Sequence, residues 1–234
     1  MPDSYTDLAD HYDLIMTSGY YDYDTYAQAL LDAVGDRRDL LEVGVGTGLV
    51  CESLLRLGPP DLRITGIDHT DSMLDKARDR LGDRVRLQAE DAMDLSFSED
   101  FDVAYSVGGV CLIVEDGERW WMSSHLMEEE ETATALKNIA MALEPDGLLL
   151  MSVQGPHEPY ERPLPGGLTY AQEVEVDPEG RHTKDYFIRR HGTLVAHQRL
   201  RFRLFPQEKA EALLEQAGFR FLTGDRLLRQ YVRH

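Results

Sequence analysis

LLEVGVGTG, Leu40 to Gly48, decides the fold. Leu40 to Val43 reads as a short strand, apolar except for one acid, Glu42. It ends in three glycines at alternate positions, Gly44, Gly46 and Gly48. Glycine tolerates positive φ and lets a backbone come close to a ligand, so the loop reads as a ligand-facing turn from strand to helix. The helix follows at once: Leu49, Val50, Leu54, Leu55 and Leu57 stand at mostly helical spacings, and Gly58-Pro59-Pro60 stops them.

Outward from this unit the pattern repeats. Arg63 to His69 reads as a second strand, and Met73, Leu74, Ala77 and Leu81 mark the next helix. Arg84 to Asp91 reads as a third strand and Asp100 to Gly109 as a fourth. Leu126, Ala133, Leu136, Ile139, Ala140 and Leu143 outline an amphipathic helix; Glu144 to Gly147 is a turn, and LLLMSVQ is a buried fifth strand. Alternation of strand and helix means an α/β fold with a mostly parallel sheet covered on both faces. In such sheets ligands bind beyond the carboxyl ends of the strands, where the glycine loop lies.

Two stretches interrupt the alternation. Val114 to Glu131 is long for a connection. After the fifth strand, QGPHEPYERPLPGG leads into LTYAQEVEV, HTKDYFIRRH and TLVAHQRLRFRLF, separated by the turn signals DPEG and HGT. These three runs read as an inserted antiparallel meander. A helix ending at Gly218 and two strands, FRFLTG and LLRQYVRH, close the chain. The expected division is an N-terminal lid (1–38), a core (39–155), an inserted lobe (156–206) and a C-terminal return to the core (207–234).

Composition narrows the chemistry. The chain has 43 acids against 24 bases, a net charge of −19, which repels phosphate backbones and argues against nucleic acid as a partner. The basic residues concentrated in Arg181 to Arg203 and Arg226 to Arg233 read as a solvated face on the last strands, with an anion site as the alternative. No apolar run approaches the ~20 residues of a membrane span. The two cysteines, Cys51 and Cys111, are far apart and belong to no CxxC pair, so neither a metal site nor a disulfide framework is expected. The acidic N-terminus does not read as a signal peptide, and a cytoplasmic location is expected.

Spacing sorts the possible ligands of the loop. A P-loop needs a Lys-Ser or Lys-Thr that is absent here. The dinucleotide fingerprint is GxGxxG, whereas this chain has GxGxG with Leu49 at the third glycine position. Asp68 ends the second strand, where an acid can accept both ribose hydroxyls. Asp91 ends the third and could accept from an adenine amino group, a role that passes to Glu90 if the strand stops one residue early. The layout suits a ribose, an adenine and a close loop without phosphate binding.

On LLEVGVGTG, TGIDHTDSMLDKAR, LQAEDAMDL and ALEPDGLLLMSV the chain resembles the class I S-adenosylmethionine-dependent methyltransferases, in their small-molecule branch. The resemblance covers most of Asp39 to Val153. It implies a Rossmann-like seven-stranded sheet whose last strand is antiparallel, with S-adenosyl-L-methionine as cofactor. Glu42, Gly44, Gly46 and Gly48 would face its aminoacyl part and Asp68 its ribose. His69 and Met73 would flank ribose and adenine, Asp91 and Ala92 would hold the adenine edge, and Ser106 would lie near the methyl group. The proline-rich [DNS]PPY of exocyclic-DNA methylating members is replaced by YSVGGV.

The acceptor side is less determined. Tyrosines crowd the N-terminus at 12, 20, 21, 23 and 26, as in relatives whose N-terminal segment closes over the cofactor; Tyr12 and Tyr21 are the candidates. His157, after the fifth strand, is a candidate base, since histidine titrates near neutral pH. Trp120 and Trp121 either wall an apolar pocket or pack the insertion. The expected reaction is SN2 methyl transfer to a small-molecule N or O acceptor, with a dimer contact through the meander. The alternatives are decarboxylation, hydroxylation or rearrangement on the same fold, or a non-catalytic cofactor-binding module.

Overall fold

The structure, a computed structural model, describes residues 8–234. The first seven residues of the expected lid lie outside the described residues. Two helices come first, α1 (Ala9–Thr17) and α2 (Tyr23–Val34). The alternating region follows as β1 (Asp39–Val43), α3 (Leu49–Leu57), β2 (Arg63–Asp68), α4 (Asp71–Leu81), β3 (Arg86–Ala89) and β4 (Phe101–Ser106). After a hairpin, β5 (Cys111–Glu115) and β6 (Trp120–Ser124), come α5 (Glu129–Ala142) and β7 (Leu143–Gln154). The lobe strands are β8 (Tyr160–Leu164), β9 (Leu168–Val176), β10 (Arg181–Arg190) and β11 (Thr193–Pro206); α6 (Gln207–Gln216), β12 (Phe219–Gly224) and β13 (Leu228–Arg233) end the chain.

The central sheet runs β3-β2-β1-β4-β7, all parallel, and continues through β13, antiparallel to both β7 and β12. This is the mostly parallel Rossmann-like arrangement expected, with one antiparallel strand set inside the edge. Side chains alternate across it as strand geometry requires. Leu40, Val103, Tyr105, Leu148 and Leu150 pack on one side with α2, α3 and α4. Leu41, Val43, Ala104, Leu149 and Met151 pack on the other with α5 and α6. Both faces are buried, which is why these strands are apolar throughout. Each such large side chain removed from water contributes about 1.5–3 kcal/mol.

The meander is present within a residue of its expected limits, as β9, β10 and β11. Its sheet is larger than the sequence predicts. Cys111–Glu115, which runs into the stretch read as a long connection from Val114, and Trp120–Ser124, inside it, are the antiparallel pair β5 and β6; β6 joins β11, and the full order is β5-β6-β11-β10-β9-β8. The two sheets meet on β7. Leu148 to Ser152 pair with β13, while Val153 and Gln154 pair with Ile113 and Val114 of β5. Trp120 is buried in the core under the Arg229 guanidinium, 4.3 Å from its ring centre, so it packs the insertion; the hollow it borders lies against α6 and β12, away from the glycine loop. The EPDG turn falls at the irregular start of β7, where Asp146 has φ 62°.

Candidate active site

At the carboxyl ends of β1, β2 and β3 lies a cleft. Gly44 and Gly46 form one wall. They approach a second glycine turn after β4: a Cβ on Gly109 would stand 2.5 Å from the Val43 carbonyl oxygen, and one on Gly44 would stand 2.9 Å from Gly109 Cα. Two backbones therefore pack where only hydrogens fit, and YSVGGV is as much a part of the loop as GVGTG. Asp68 bridges the site. Its Oδ2 accepts from the Gly46 N–H at 2.9 Å and its Oδ1 from the Thr70 N–H at 2.9 Å. Each oxygen keeps a further lone pair for a hydroxyl, which fits a ribose edge.

β3 ends at Ala89, two residues short of Asp91, where the sequence reading ends the strand. Asp91 caps the turn after it, its Oδ1 accepting from the Met93 N–H at 2.9 Å. Glu90 also lines the cleft, and its Oε2 is buried without a hydrogen-bond partner. An orphaned buried acceptor of this kind costs stability until a donor meets it, and an exocyclic amine is such a donor. The residues present thus fit an adenosine: a carboxylate for ribose, an acceptor for the amine, and Met73 and Ala92 as apolar walls.

Helix α1 covers the cleft. Tyr12 lines it, and the next residue fastens the helix to the glycine loop: Asp13 accepts from Thr47 Oγ1 at 2.5 Å and pairs with Arg80. Arg80 also donates to the Thr47 carbonyl at 2.9 Å and to Glu52 at 2.8 Å. Desolvation and the nearby carboxylates raise the Tyr12 hydroxyl well above the ordinary phenol range.

A second, smaller chamber adjoins the first, and Tyr12, Gly108, His125 and Leu200 line both. His125, which follows β6, faces the Arg201 carbonyl with Nδ1 at 3.3 Å. A proton on Nδ1 leaves Nε2 as a lone-pair acceptor. Burial lowers its pKa to about 4, so the ring is neutral at pH 7.

Beyond His125 the second chamber is walled by Tyr20, Tyr186 and Phe202. Lys184 of β10 lies within it, 1% exposed, donating to Tyr20 Oη at 2.6 Å and to His157 Nδ1 at 3.1 Å. Burial lowers its pKa to about 7. The other His157 nitrogen, Nε2, contacts the Gln154 amide at 3.1 Å, and burial followed by the Lys184 charge lowers its pKa to about 3. Tyr21 donates to Gln154 Oε1 at 2.5 Å and packs under Gly108.

Of the expected cofactor residues, Tyr12, Gly44, Gly46, Asp68, His69, Met73, Asp91 and Ala92 line the first cleft. Glu42, Gly48 and Ser106 do not. Glu42 is 1% exposed beneath the loop, its Oε2 accepting from Cys51 Sγ at 2.8 Å and Tyr105 Oη at 3.0 Å. Burial raises its pKa to about 8. Gly48 is the left-handed residue that starts α3, against Leu81. Ser106 is buried against Gly109. The candidate catalytic pair falls in the second chamber: both ring nitrogens of His157 and the hydroxyl of Tyr21 are engaged by other side chains. His125 and Lys184 are absent from the sequence expectation; neither belongs to a motif, and only the folding of the hairpin and the meander brings them to the site.

Comparison with known proteins agrees with this geometry. Residues 40–147 match the family model for the methyltransferase domain. The malonyl-[acyl-carrier protein] O-methyltransferase of Bacillus cereus is 31% identical over 123 residues, 52% of this chain and 39% of that protein. The chain spans less than half the length of the curated relatives it matches. DesVI of Streptomyces venezuelae superposes over 98% of this chain and 99% of its own, with a TM-score of 0.70 and 23% identity. CalS10 of Micromonospora echinaspora, an amino pentose methyltransferase with S-adenosylmethionine bound, superposes over 95% of this chain and 96% of its own, with a TM-score of 0.64 and 21% identity. At such identities these structures share the fold. Motifs, sheet order and domain match agree: residues 40–147 form a methyltransferase domain, in a fold shared with S-adenosylmethionine-dependent methyltransferases.

Proposed function

We propose that this protein transfers the methyl group of S-adenosylmethionine to a nitrogen or oxygen of a small molecule held in the second chamber. The observation that carries the reading is the junction: an adenosine-fitting cleft and an aromatic chamber share Tyr12, Gly108 and His125 as their common wall. A sulfonium supplies an activated methyl group when bound, so the protein needs no covalent chemistry of its own. Its residues orient. Asp68 and Glu90 hold the nucleoside end, and the Gly44–Gly109 contact presses the loop against the rest. His125 Nε2 accepts from the acceptor N–H or O–H and aims its lone pair across the junction. Alignment of reacting atoms at about 3–3.5 Å is the main contribution available to such a site. With its low pKa His125 does not keep a proton at pH 7, so it positions the acceptor, and the proton leaves to bulk solvent when the site opens to release product. α1 excludes water from the junction.

The names of the relatives support both acceptor atoms, an O-methyltransferase in one case and an amino pentose methyltransferase in the other. The test is calorimetric titration with S-adenosylmethionine, S-adenosylhomocysteine and NAD, with Asp68→Ala alongside. Adenosyl ligands should bind, and the variant should lose roughly 10- to 100-fold in affinity, the scale of a charge-assisted hydrogen-bond pair. An acceptor screen then reads S-adenosylhomocysteine formation. Binding of NAD in place of the adenosyl ligands, or an unaffected variant, refutes the reading.

A further inference from the structure

The second chamber has a charge pattern that the methyl-transfer reading does not require. Among the described residues Lys184 is its only lining cation and no Asp or Glu lines it. Among the described residues no carboxylate pairs with Lys184. Its neighbours are the Tyr20 hydroxyl, His157 Nδ1, and the faces of the Tyr20 and Tyr186 rings, with Nζ at 5.0 and 4.7 Å from their centroids. An ammonium has three donors, and two are met. The rings favour a cation over their faces but do not neutralise it. A buried ammonium without a counter-charge is costly, and it is the kind of group a protein keeps when a ligand supplies the partner.

We propose that Lys184 receives the carboxylate of the acceptor, so that the methyl acceptor is a small monoanionic acid whose reactive atom lies at the His125 end of the chamber. This rests on the methyl-transfer reading for what happens at that end. The chemistry favours a carboxylate over other anions. One cation with two neutral histidines balances one negative charge and leaves a phosphate dianion short of partners. The apolar remainder of the wall, Phe202, Leu200 and Met16, suits a hydrocarbon or aromatic body. The net charge of −19 disfavours approach by polyanions. His157, Gln154 and Tyr21 form a chain of contacts running from Lys184 along the same wall, which fixes its position.

The chain contains four lysines, at 76, 137, 184 and 209, so the Lys184 signal is identifiable. Protein labelled with carbon-13 lysine is saturated with S-adenosylhomocysteine, and the Lys184 Cε resonance is assigned by its loss in Lys184→Met. Acetate, the smallest probe, should shift that resonance saturably at millimolar concentration, and benzoate at least tenfold lower; acetamide and benzamide should not. Lys184→Met should bind S-adenosylhomocysteine with unchanged affinity while losing calorimetric benzoate binding. Carboxylates that leave Lys184 unshifted, amides that shift it equally, or phosphate that binds more tightly than benzoate would overturn the proposal. A carboxylate response in protein that fails to bind S-adenosylhomocysteine leaves the acid site standing and removes the methyl-transfer reading instead.

Discussion

Glu42→Gln tests the electrostatics under the glycine loop. Glu42 is sealed from water, and burial raises its carboxyl to about 8 in the folded chain, against 4.5 for the ordinary group. Folding therefore favours the protonated acid. Its contribution to stability is fully present below pH 4.5 and is lost as pH rises through 8. Glutamine is neutral throughout and can offer its carbonyl oxygen to the same two donors, Cys51 Sγ and Tyr105 Oη. Each pH unit across that window is worth ~1.4 kcal/mol, so the variant should gain on the natural protein by as much as ~5 kcal/mol at pH 8, and by almost nothing near the lower end. Urea unfolding of both ligand-free proteins, at about pH 5 and about pH 8, measures the gap directly from the midpoints at equal slope. A gap that does not widen with pH refutes the assignment of a buried protonated acid at this position.

Other consequences are equally accessible. His125→Ala should lower kcat by about 100-fold with any acceptor found, as expected for lost orientation, while S-adenosylhomocysteine affinity by calorimetry stays unchanged. Thr47→Val deletes the 2.5 Å bond to Asp13 and should loosen α1 by about 1 kcal/mol; limited proteolysis should then cut near α1 faster at little change in global melting. Gly109→Ala forces a Cβ to within 2.5 Å of the Val43 carbonyl oxygen. Because the obstacle is backbone, the cost should reach about 2 kcal/mol or more, read as a drop in melting temperature together with lost cofactor affinity.

The central sheet was legible because its strands are buried on both faces, so Leu40 to Val43, Val103 to Tyr105 and Leu148 to Met151 are near-continuous apolar runs next to glycines. The meander was legible for a different reason: DPEG and HGT are strong turn signals between runs of β-formers. β5 and β6 escaped because CLIVE continues the apolar character of β4 and GGV, and WWMSS lies beside a charged stretch that reads as loop. With that hairpin went His125. Cofactor-side residues such as Asp68 sit at strand ends, where position along the chain determines position in space. Lys184 sits mid-strand in the lobe. Its burial depends on Tyr20, some 160 residues away in sequence, and no local pattern encodes such a partner. The strand-end rule also misplaces Glu42, which has the right distance from the loop but lies beneath it.

β7 belongs to two sheets at once, and this bears on how molecules enter and leave. The two chambers have floors in one continuous hydrogen-bonded surface, tied at Val153 and Gln154. The two lobes cannot swing apart like jaws without breaking strand pairs. The movable part is on top: α1 spans both chambers, pairs with no strand, and is held by side-chain bonds through Asp10, Asp13 and the Ile15 carbonyl. The molecule is therefore a box with a fixed base and a latched cover, and the latch bonds should set the residence time of whatever lies inside. A cross-link between α1 and the glycine loop should trap bound S-adenosylhomocysteine, whereas one between β5 and β7 should leave its release rate unchanged.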